Sequence, residues 1–205
     1  MMGSKNNPSA GIFGGSFDPI HVGHLILARD VLEQTELDEI LFIPASQAPL
    51  RQHAPLASGS DRLDLVRAAI TGESAFHVSD VELEAGGDSY TVDTINSLRT
   101  ERPDECFSLI IGADQFEQLS CWHRVEELIE LTEFICLERP DTVLKAPAEL
   151  ENLRWRSIKA RPLGVSSTEI RDRLRNGLSV QHFLPESALE IIRERGLYAP
   201  DAKIE

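Results

Sequence analysis

Two histidines three residues apart follow a pair of glycines near the start of the chain. The segment runs Gly11-Ile-Phe-Gly-Gly-Ser-Phe-Asp-Pro-Ile-His-Val-Gly-His24, from an apolar run predicted as a strand into a predicted helix. Gly14 and Gly15 allow a ligand to approach the backbone, and the helix start offers free N–H groups and a positive dipole end. Because residues three apart share one side of a helix, His21 and His24 are expected to donate together to phosphate oxygens.

A metal site or a dinucleotide site fits this segment less well than a phosphate site. Zinc requires further ligands, and the sequence has neither a His-Glu-x-x-His pattern nor a third ligand nearby. The pattern is neither Gly-x-Gly-x-x-Gly nor a P-loop, which excludes a dehydrogenase or P-loop NTPase site here. Either histidine alone could be a packed or capping residue. The coincidence of the glycine pair, Pro19, Gly23 and both histidines at one turn favours phosphate binding.

A second candidate anion site lies near the other end of the chain, in Gly164–Arg171. Ser166 followed three residues later by Glu169 is a capping box, which by itself explains Ser166. Capping does not explain the two further hydroxyl residues or the arginine one turn later. Hydroxyls and N–H groups at a helix start, beside a guanidinium, can hold phosphate. The two helix starts therefore predict a polyphosphate held between them.

Strand and helix patterns alternate along the chain, which predicts the elements that must position these residues. The predicted strands are Ser9–Gly14, Glu39–Pro44, Cys106–Ile111, Phe134–Leu137 and Arg154–Ile158. The predicted helices are Val22–Gln34, Asp61–Ile70, Thr91–Arg102, one starting at Asp114, Trp122–Leu131, Ser166–Arg175 and Glu186–Arg195. Apolar strands separated by helices predict an α/β fold, a Rossmann-like parallel sheet with helices on both faces. We expect residues 1–9 to be a disordered or flexible lead-in and residues 10–200 a single domain that includes the C-terminal helices.

Composition and charge limit the classes of molecule that the protein is expected to bind. The chain has 205 residues, with 20 Lys and Arg against 34 Asp and Glu, a formal net charge of −14. This balance argues against nucleic-acid binding, which needs a basic face. No apolar run spans a bilayer and the N-terminus lacks a signal-peptide core, so we expect no membrane association and a cytoplasmic location.

The three cysteines are too few and too widely spaced for a disulfide framework. Cys106 and Cys136 fall in apolar runs predicted as strands, and Cys121 lies between them. A cysteine in such a run is usually a small buried hydrophobe. The sequence therefore predicts no redox or metal role for these thiols.

Together, these motifs resemble the nucleotidyltransferase superfamily and, within it, the bacterial nicotinate mononucleotide adenylyltransferase family. The His-x-Gly-His and Ser-Ser-Thr-x-x-Arg elements mark the superfamily. The resemblance is narrowed by Ser89-Tyr90-Thr91, Ile111-Gly112-Ala113-Asp114, Trp122, Arg139-Pro140 and the ending from Leu184-Pro185 to Gly196-Leu197-Tyr198. It extends from Gly11 to Tyr198, nearly the whole chain.

The resemblance implies a fold of the nucleotidyltransferase type and transfer of an adenylyl group from ATP to nicotinate mononucleotide, giving deamido-NAD and pyrophosphate. It implies no protein nucleophile, so catalysis is positioning and charge stabilisation. The implied catalytic residues are His21, His24 and Arg171. The implied ATP-binding residues are Gly14, Gly15, Phe17, Asp114, Ser166, Ser167 and Thr168. The implied substrate-binding residues are Ser16, Arg51, Tyr90, Thr91, Trp122 and Arg139. Mg²⁺ is expected on the triphosphate, with no metal site formed by the protein alone.

The chain departs from the family at one loop. Where the family often has Pro-Pro-His-Lys, this chain has Ala48-Pro49-Leu50-Arg51. The histidine is absent, and Arg51 keeps the charge as a planar fork in place of a point charge. His53 could replace the missing imidazole, although an exposed loop histidine is the simpler interpretation.

Three further functions are compatible with part of this pattern. A sister adenylyltransferase would use nicotinamide mononucleotide or phosphopantetheine, but the phosphopantetheine enzymes lack the Tyr-Thr and Trp elements. A nucleotide-sensing regulator would keep the pocket without turnover, against which the intact His21, His24 and Arg171 argue. A class I aminoacyl-tRNA synthetase shares the histidine element, but this chain is too short and lacks the lysine-rich second signature. The sequence leaves the oligomeric state open, and a homo-oligomer is compatible with it.

Overall fold

A six-stranded parallel sheet forms the centre of the computed structural model, which describes residues 7–47, 54–138 and 144–199. The strands are β1 (Ser9–Gly15), β2 (Glu39–Pro44), β3 (Phe76–Val78), β4 (Cys106–Gly112), β5 (Glu133–Glu138) and β6 (Trp155–Lys159). Their spatial order is β3-β2-β1-β4-β5-β6, and each neighbouring pair is parallel. The first strand therefore lies in the middle of the sheet.

Helices cover both faces of this sheet. They are α1 (Val22–Gln34), α2 (Gly59–Ala69), α3 (Val81–Ala85), α4 (Thr91–Glu101), α5 (Ala113–Glu117), α6 (Val125–Leu131), α7 (Ser167–Arg175) and α8 (Glu186–Arg195), with a short 3-10 helix at Leu119–Cys121. The helices α1, α2, α7 and α8 contribute to one apolar core, and α4, α5 and α6 contribute to the other. In the described part of the chain, no helix is both long enough and apolar enough to cross a membrane.

Alternate residues of the central strands point into the two cores. In β2, Ile40 and Phe42 join the first core, whereas Leu41 and Ile43 join the second. All four side chains are fully buried. This burial on both faces explains the continuous apolar runs in the sequence. The predicted α/β fold with helices on both faces is confirmed.

The structure adds two short elements, β3 and α3, that the sequence patterns did not predict. It also corrects the start of α6, which was predicted at Trp122 and lies at Val125. Arg124 has a φ of 51° and is the N-cap of this helix, so the helical conformation cannot extend towards Trp122. Cys136 is buried as expected, but Cys106 is exposed, because it is the first residue of β4, at the strand's amino end.

The chain start and the loop after β2 are described only in part. Ser9, predicted both as the last residue of the lead-in and as the first residue of a strand, is the first residue of β1, and its N–H donates to Asp38 Oδ2 at 2.9 Å. The predicted loop 44–60 contains residues 48–53, which lie outside the described ranges, and α2 begins at Gly59. The boundaries of the single domain stay a prediction.

Candidate active site

The predicted site lies where the order of the strands reverses. After β1 the chain adds β2 and β3 on one side of it, then crosses to form β4 on the other side. In open parallel sheets, ligands bind outside the carboxyl ends of the strands at this switch point. Gly14 in β1 and Gly112 at the end of β4 both border open space, since a Cβ atom at either position would meet nothing within 4 Å. The two neighbouring strand ends thus leave room above the backbone.

The two histidines lie side by side at the start of α1. His21 is the extended N-cap residue, and its ring stacks on that of His24 with a centroid distance of 3.8 Å. The His21 backbone N–H donates to Nδ1 of His24 at 3.2 Å. An N–H group can only donate, so Nδ1 must be the unprotonated nitrogen of a neutral His24, whose proton is therefore on Nε2. Backbone geometry thus makes Nε2–H the donor of this imidazole.

His21 is held in a confined space that requires the following glycine. A Cβ atom at Gly23 would lie 2.9 Å from the His21 ring and 3.0 Å from a methyl of Val165. Burial lowers the pKa of His21 to about 4. The imidazole is therefore uncharged at neutral pH and acts as a neutral hydrogen-bonding group.

The start of α7 packs directly on the loop between β1 and α1. Ser167 Oγ donates to the Pro19 carbonyl at 2.8 Å, and Arg171 Nη1 donates to the Asp18 carbonyl at 2.8 Å. These bonds join positions 148 and 153 residues apart. The two helix starts predicted to share a polyphosphate are therefore adjacent in space.

The three hydroxyl groups at the start of α7 all have hydrogen-bond partners, of which the sequence predicted only that of Ser166. Ser166 Oγ accepts from the Glu169 N–H at 3.1 Å, so this residue is the N-cap that the capping interpretation expected. The hydroxyl hydrogen of Ser167 is used to hold Pro19. Thr168 Oγ1 accepts from Arg171 Nη2 at 3.3 Å. Ligand binding at this helix start therefore depends mainly on Arg171, on the Thr168 hydroxyl, which can still donate its hydrogen, and on the N–H groups of Ser167 and Thr168 at the helix start.

Two predicted site residues of the loop after β1 have buried side chains. Phe17, at a φ of 45°, is 2% exposed and packs its ring edge-on against His24 at a centroid distance of 5.1 Å. Ser16 is also buried, and its carbonyl accepts from Arg62 Nη1 at 2.8 Å. The Phe17 side chain belongs to the first apolar core, so this residue would meet a ligand through its backbone.

Sequence reasoning assigned no site role to three residues that fix this loop. Arg62 holds the Ser16 carbonyl, and the Asp18 carboxylate accepts from the Tyr198 hydroxyl at 2.8 Å. Asp18 lies inside the histidine motif, and this position was the one local feature of the sequence that could have identified any of the three residues. Arg62 and Tyr198 come from α2 and from the chain beyond α8, and only tertiary contacts bring them to the loop.

A second group of predicted residues lies at the start of α4. Tyr90 is the N-cap, Thr91 is the first helical residue, and the Tyr90 ring packs on His123 at a centroid distance of 4.3 Å. His123 follows Trp122, so the predicted tyrosine and tryptophan are near neighbours.

Backbone contacts connect this group to the end of β1. The Ala45 N–H donates to the Gly15 carbonyl at 2.9 Å. The next residue, Ser46, donates its N–H to Ser89 Oγ at 2.9 Å, immediately before Tyr90. The group at α4 therefore lies beside the glycine turn, on the β2 side. Asp114, by contrast, is exposed in α5, on the β4 side.

Several buried polar atoms of the predicted site make no hydrogen bond within the described chain. They include His21 Nδ1, Trp122 Nε1 and Arg171 Nε. Native proteins leave few such atoms, because each one costs stability. Their occurrence at three predicted site residues is more typical of a functional region than of a structural core.

Some predictions fall outside these groups. Arg51 and Arg139 lie outside the described residues. In the described ranges, no cluster of three or more His, Cys, Asp or Glu side chains could hold a metal ion. Two cavities of about 490 and 460 Å³ lie beside α1 and beside the start of α2, and neither is lined by the histidine pair or by Arg171. The predicted site is instead the crevice at the carboxyl ends of β1 and β4, where Gly14 and Gly112 border open space.

The fold and this crevice define an α/β protein of the nucleotidyltransferase class. Residues 12–173 match the cytidylyltransferase-like family, and the chain belongs to that family. A relative from Opitutus terrae named "Probable nicotinate-nucleotide adenylyltransferase" is 45% identical over 93% of this chain and 97% of its own length. A relative of the same name from Geobacillus kaustophilus is 42% identical over 92% of this chain and 85% of its own length.

A solved structure shows the same fold. It is Plasmodium falciparum nicotinic acid mononucleotide adenylyltransferase complexed with NaAD, at a TM-score of 0.73 and 21% identity. The alignment covers 93% of this chain and 97% of the other. At this identity the likeness concerns the fold, and the family membership rests on the sequence matches.

Proposed function

We propose that this protein transfers the adenylyl group of ATP to nicotinate mononucleotide and releases pyrophosphate, in the biosynthesis of NAD. The names of its relatives support this reaction. The structural observation that carries the proposal is the contact between the two helix starts, made through Ser167 with Pro19 and Arg171 with Asp18. A triphosphate placed at that contact meets two positive helix ends and one guanidinium.

In this reaction a phosphate oxygen of the mononucleotide attacks the α-phosphorus of ATP, and the bond from that phosphorus to the pyrophosphate oxygen breaks. The protein forms no covalent bond, so it acts by holding both reactants in line and stabilising the charge that develops. His24 donates Nε2–H to the phosphate oxygens, as its hydrogen bond from the His21 N–H requires. His21, neutral because of its burial, supports the same oxygens without bringing a charge.

Arg171 supplies the fixed positive charge for the departing pyrophosphate. Its Nη1 and Nη2 are positioned by Asp18 and Thr168, and its side chain is 21% exposed. A guanidinium held in this way needs little reorganisation when charge develops on the leaving group. Arg51 is proposed to add a second positive charge from the loop after β2.

The acceptor is proposed to bind on the other side of the glycine turn, at the start of α4. Tyr90 and Trp122 would contact the pyridine ring, and the N–H groups at the helix start would meet its carboxylate. A carboxylate accepts from such N–H groups with both oxygens, whereas an amide offers only one acceptor. This difference supports nicotinate over nicotinamide mononucleotide.

Mg²⁺ is proposed to arrive with the triphosphate and to neutralise part of its charge. The described residues offer no cage for a metal, and the acid of the site loop is already used. Both carboxylate oxygens of Asp18 accept hydrogen bonds, from Leu56, Ala57 and Tyr198. Mg²⁺ commonly binds through phosphate and water, so these residues suit an ion carried by the substrate.

The direct test measures pyrophosphate release from ATP with nicotinate and nicotinamide mononucleotide in parallel. We expect release with the nicotinate compound and much slower release with the nicotinamide compound. Equal rates would contradict the proposed acceptor, and release with neither would favour a sensing protein. The cytoplasmic location and a homo-oligomeric state stay predictions, which fractionation of cells and light scattering would examine.

A further inference from the structure

Asp18 is the one acidic residue between β1 and α1, and its carboxylate is held by several donors. Its side chain is 7% exposed. Oδ2 accepts from the Leu56 N–H at 2.9 Å, and Oδ1 accepts from the Ala57 N–H at 3.0 Å and from the Tyr198 hydroxyl at 2.8 Å. Three donors from two distant segments therefore share one buried carboxylate.

The same residue sets the position of Arg171. Nη1 of this arginine donates to the Asp18 backbone carbonyl at 2.8 Å and lies 3.8 Å from the carboxylate Oδ2. The guanidinium thus has two competing acceptors on one residue. The guanidinium donates its hydrogen bond to the carbonyl, whereas the carboxylate, which carries the greater charge, lies within ion-pair distance but beyond hydrogen-bond distance.

Tyr198 reaches Asp18 from the last described turn of the chain. It is 9% exposed and belongs to the same apolar core as Phe17. Its φ of 59° is rare for a residue with a side chain, and such conformations persist where the surroundings impose them. Burial and the adjacent Asp18 charge raise the pKa of the Tyr198 hydroxyl, which remains a donor at any working pH.

The segment that presents Tyr198 is anchored away from the site. Ser187, in the first turn of α8, donates its hydroxyl to the Ala68 carbonyl of α2 at 2.8 Å. At the other end of α8, Arg195 pairs with Asp61 at 2.7 Å. The tyrosine hydroxyl is therefore presented to Asp18 by a helix fixed on the body of the protein.

We propose that Tyr198 is a positioning residue for adenylyl transfer, which keeps Arg171 on the Asp18 carbonyl by donating to the Asp18 carboxylate. The hydroxyl neutralises part of the carboxylate charge. Without it, the carboxylate attracts the guanidinium more strongly and draws Arg171 away from the triphosphate. This inference rests on the proposed function and extends it to a residue outside the crevice.

Tyr198→Phe tests this role, because it removes the hydroxyl and keeps the ring in the core. We expect kcat/KM for ATP to fall about tenfold, because the guanidinium contacts the triphosphate in the bound state as well as in the transition state. The KM for the mononucleotide should stay within about twofold, since the acceptor side does not contact this network. In an Arg171→Ala background the same substitution should have no further effect, because Tyr198 acts through that arginine.

Two variants accompany the measurement. Thr71→Val also removes a hydroxyl bond, the one donated to the Arg67 carbonyl at 3.0 Å, but this bond involves neither Asp18 nor α8, and the variant should retain wild-type kinetics. Asp18→Asn removes the charge that competes for the guanidinium and keeps the carbonyl that binds it. In an Asp18→Asn background, Tyr198→Phe should therefore cause no further loss in kcat/KM for ATP, and this comparison keeps the proposal testable even if Tyr198→Phe alone does not fold.

The proposal is overturned by unchanged kinetics in Tyr198→Phe, by losses that multiply in the Arg171→Ala background, or by an equal loss in Thr71→Val. ATP affinity, measured by calorimetry without an acceptor, separates this proposal from the proposed function. An inactive wild-type protein would contradict the proposed reaction. Weaker ATP binding in Tyr198→Phe would still support the action of Tyr198 on Arg171, and unchanged binding would contradict it.

Discussion

Two side chains of the proposed site have their chemistry set by single backbone contacts. His24 keeps its proton on Nε2 because its other nitrogen accepts from the His21 N–H. Arg171 is oriented by a carbonyl of the loop that it serves. At the scale of the residue, therefore, the structure determines which atom of each group can act.

His24→Ala should lower turnover by roughly 10²-fold or more, with a modest effect on ATP binding, because it removes a donor to the developing charge. Steady-state kinetics and calorimetry with ATP would measure the two effects. His77→Ala is a suitable control, since His77 lies on β3 and its ring interacts with Glu39. A His24→Ala enzyme with wild-type kcat would refute the proposed role.

Gly14→Ala should leave stability nearly unchanged and raise KM for ATP, by about tenfold, since the methyl group enters space that the protein itself leaves open. Gly11→Ala is the matched comparison. Its methyl would lie 2.8–2.9 Å from Leu37, Ile110 and Ile40, and should destabilise the fold by about 1–3 kcal/mol. Gly14→Ala should change KM for ATP more than the Tm, and Gly11→Ala should change the Tm more than KM; both quantities are measured on both variants. Equal effects would show that the space above Gly14 is not a binding site.

At the scale of the element, the two serines at the start of α7 have different roles, since Ser166 caps the helix and Ser167 attaches it to the loop after β1. Ser166→Ala removes the N-cap and should cost about 1 kcal/mol of unfolding free energy, with little effect on kcat. Ser167→Ala removes the bond to Pro19 and should lower kcat/KM for ATP several-fold, because α7 is then less firmly held on the loop. Urea unfolding and kinetics would separate the two. If Ser166→Ala lost more activity than Ser167→Ala, this division would be wrong.

The start of α4 and the turn before α6 should form the acceptor side. Trp122→Ala is expected to raise KM for the mononucleotide more than KM for ATP, because the indole would contact the pyridine ring. Trp155→Ala provides a comparison, since Trp155, in β6, packs on Phe116 at a centroid distance of 4.7 Å. The reverse order of KM effects in Trp122→Ala would place the pyridine pocket elsewhere.

At the scale of the whole molecule, the burial of His21 connects the site to pH-dependent stability. The folded protein binds a proton at His21 only near pH 4, whereas the unfolded chain binds one near the ordinary histidine pKa of 6.5. Between these values the unfolded state holds more protons, so the free energy of unfolding falls as the pH is lowered from 6.5 to 4, by at most about 3 kcal/mol.

His21→Gln should reduce this loss, because glutamine does not titrate. Urea unfolding of wild type and variant at about pH 7 and about pH 4.5 would measure it. The comparison is needed because carboxylates whose pKa is lowered in the folded protein, such as Asp61, also make the protein less stable in acid. An identical pH dependence in the two proteins would show that His21 is not buried in this way.

Local patterns predicted most of the fold. Val22–Gln34, Glu39–Pro44 and Glu186–Arg195 have the predicted boundaries, because apolar periodicity and caps are properties of neighbouring residues. The short β3 gave no such signal, since three residues are too few to show a period. The predicted family, fold and adenylyl-transfer function agree with the comparisons.

The sequence by itself determined the glycine turn, the histidine pair, the serine-rich helix start and the sheet that carries them. Only the tertiary structure decided which of those groups remain available. It used the Ser167 hydroxyl to hold Pro19, buried Phe17, and brought Arg62 and Tyr198 to the loop after β1. The reason is physical: caps and periodicity depend on residues one turn apart, whereas burial and hydrogen bonding depend on segments that meet only after the chain has folded.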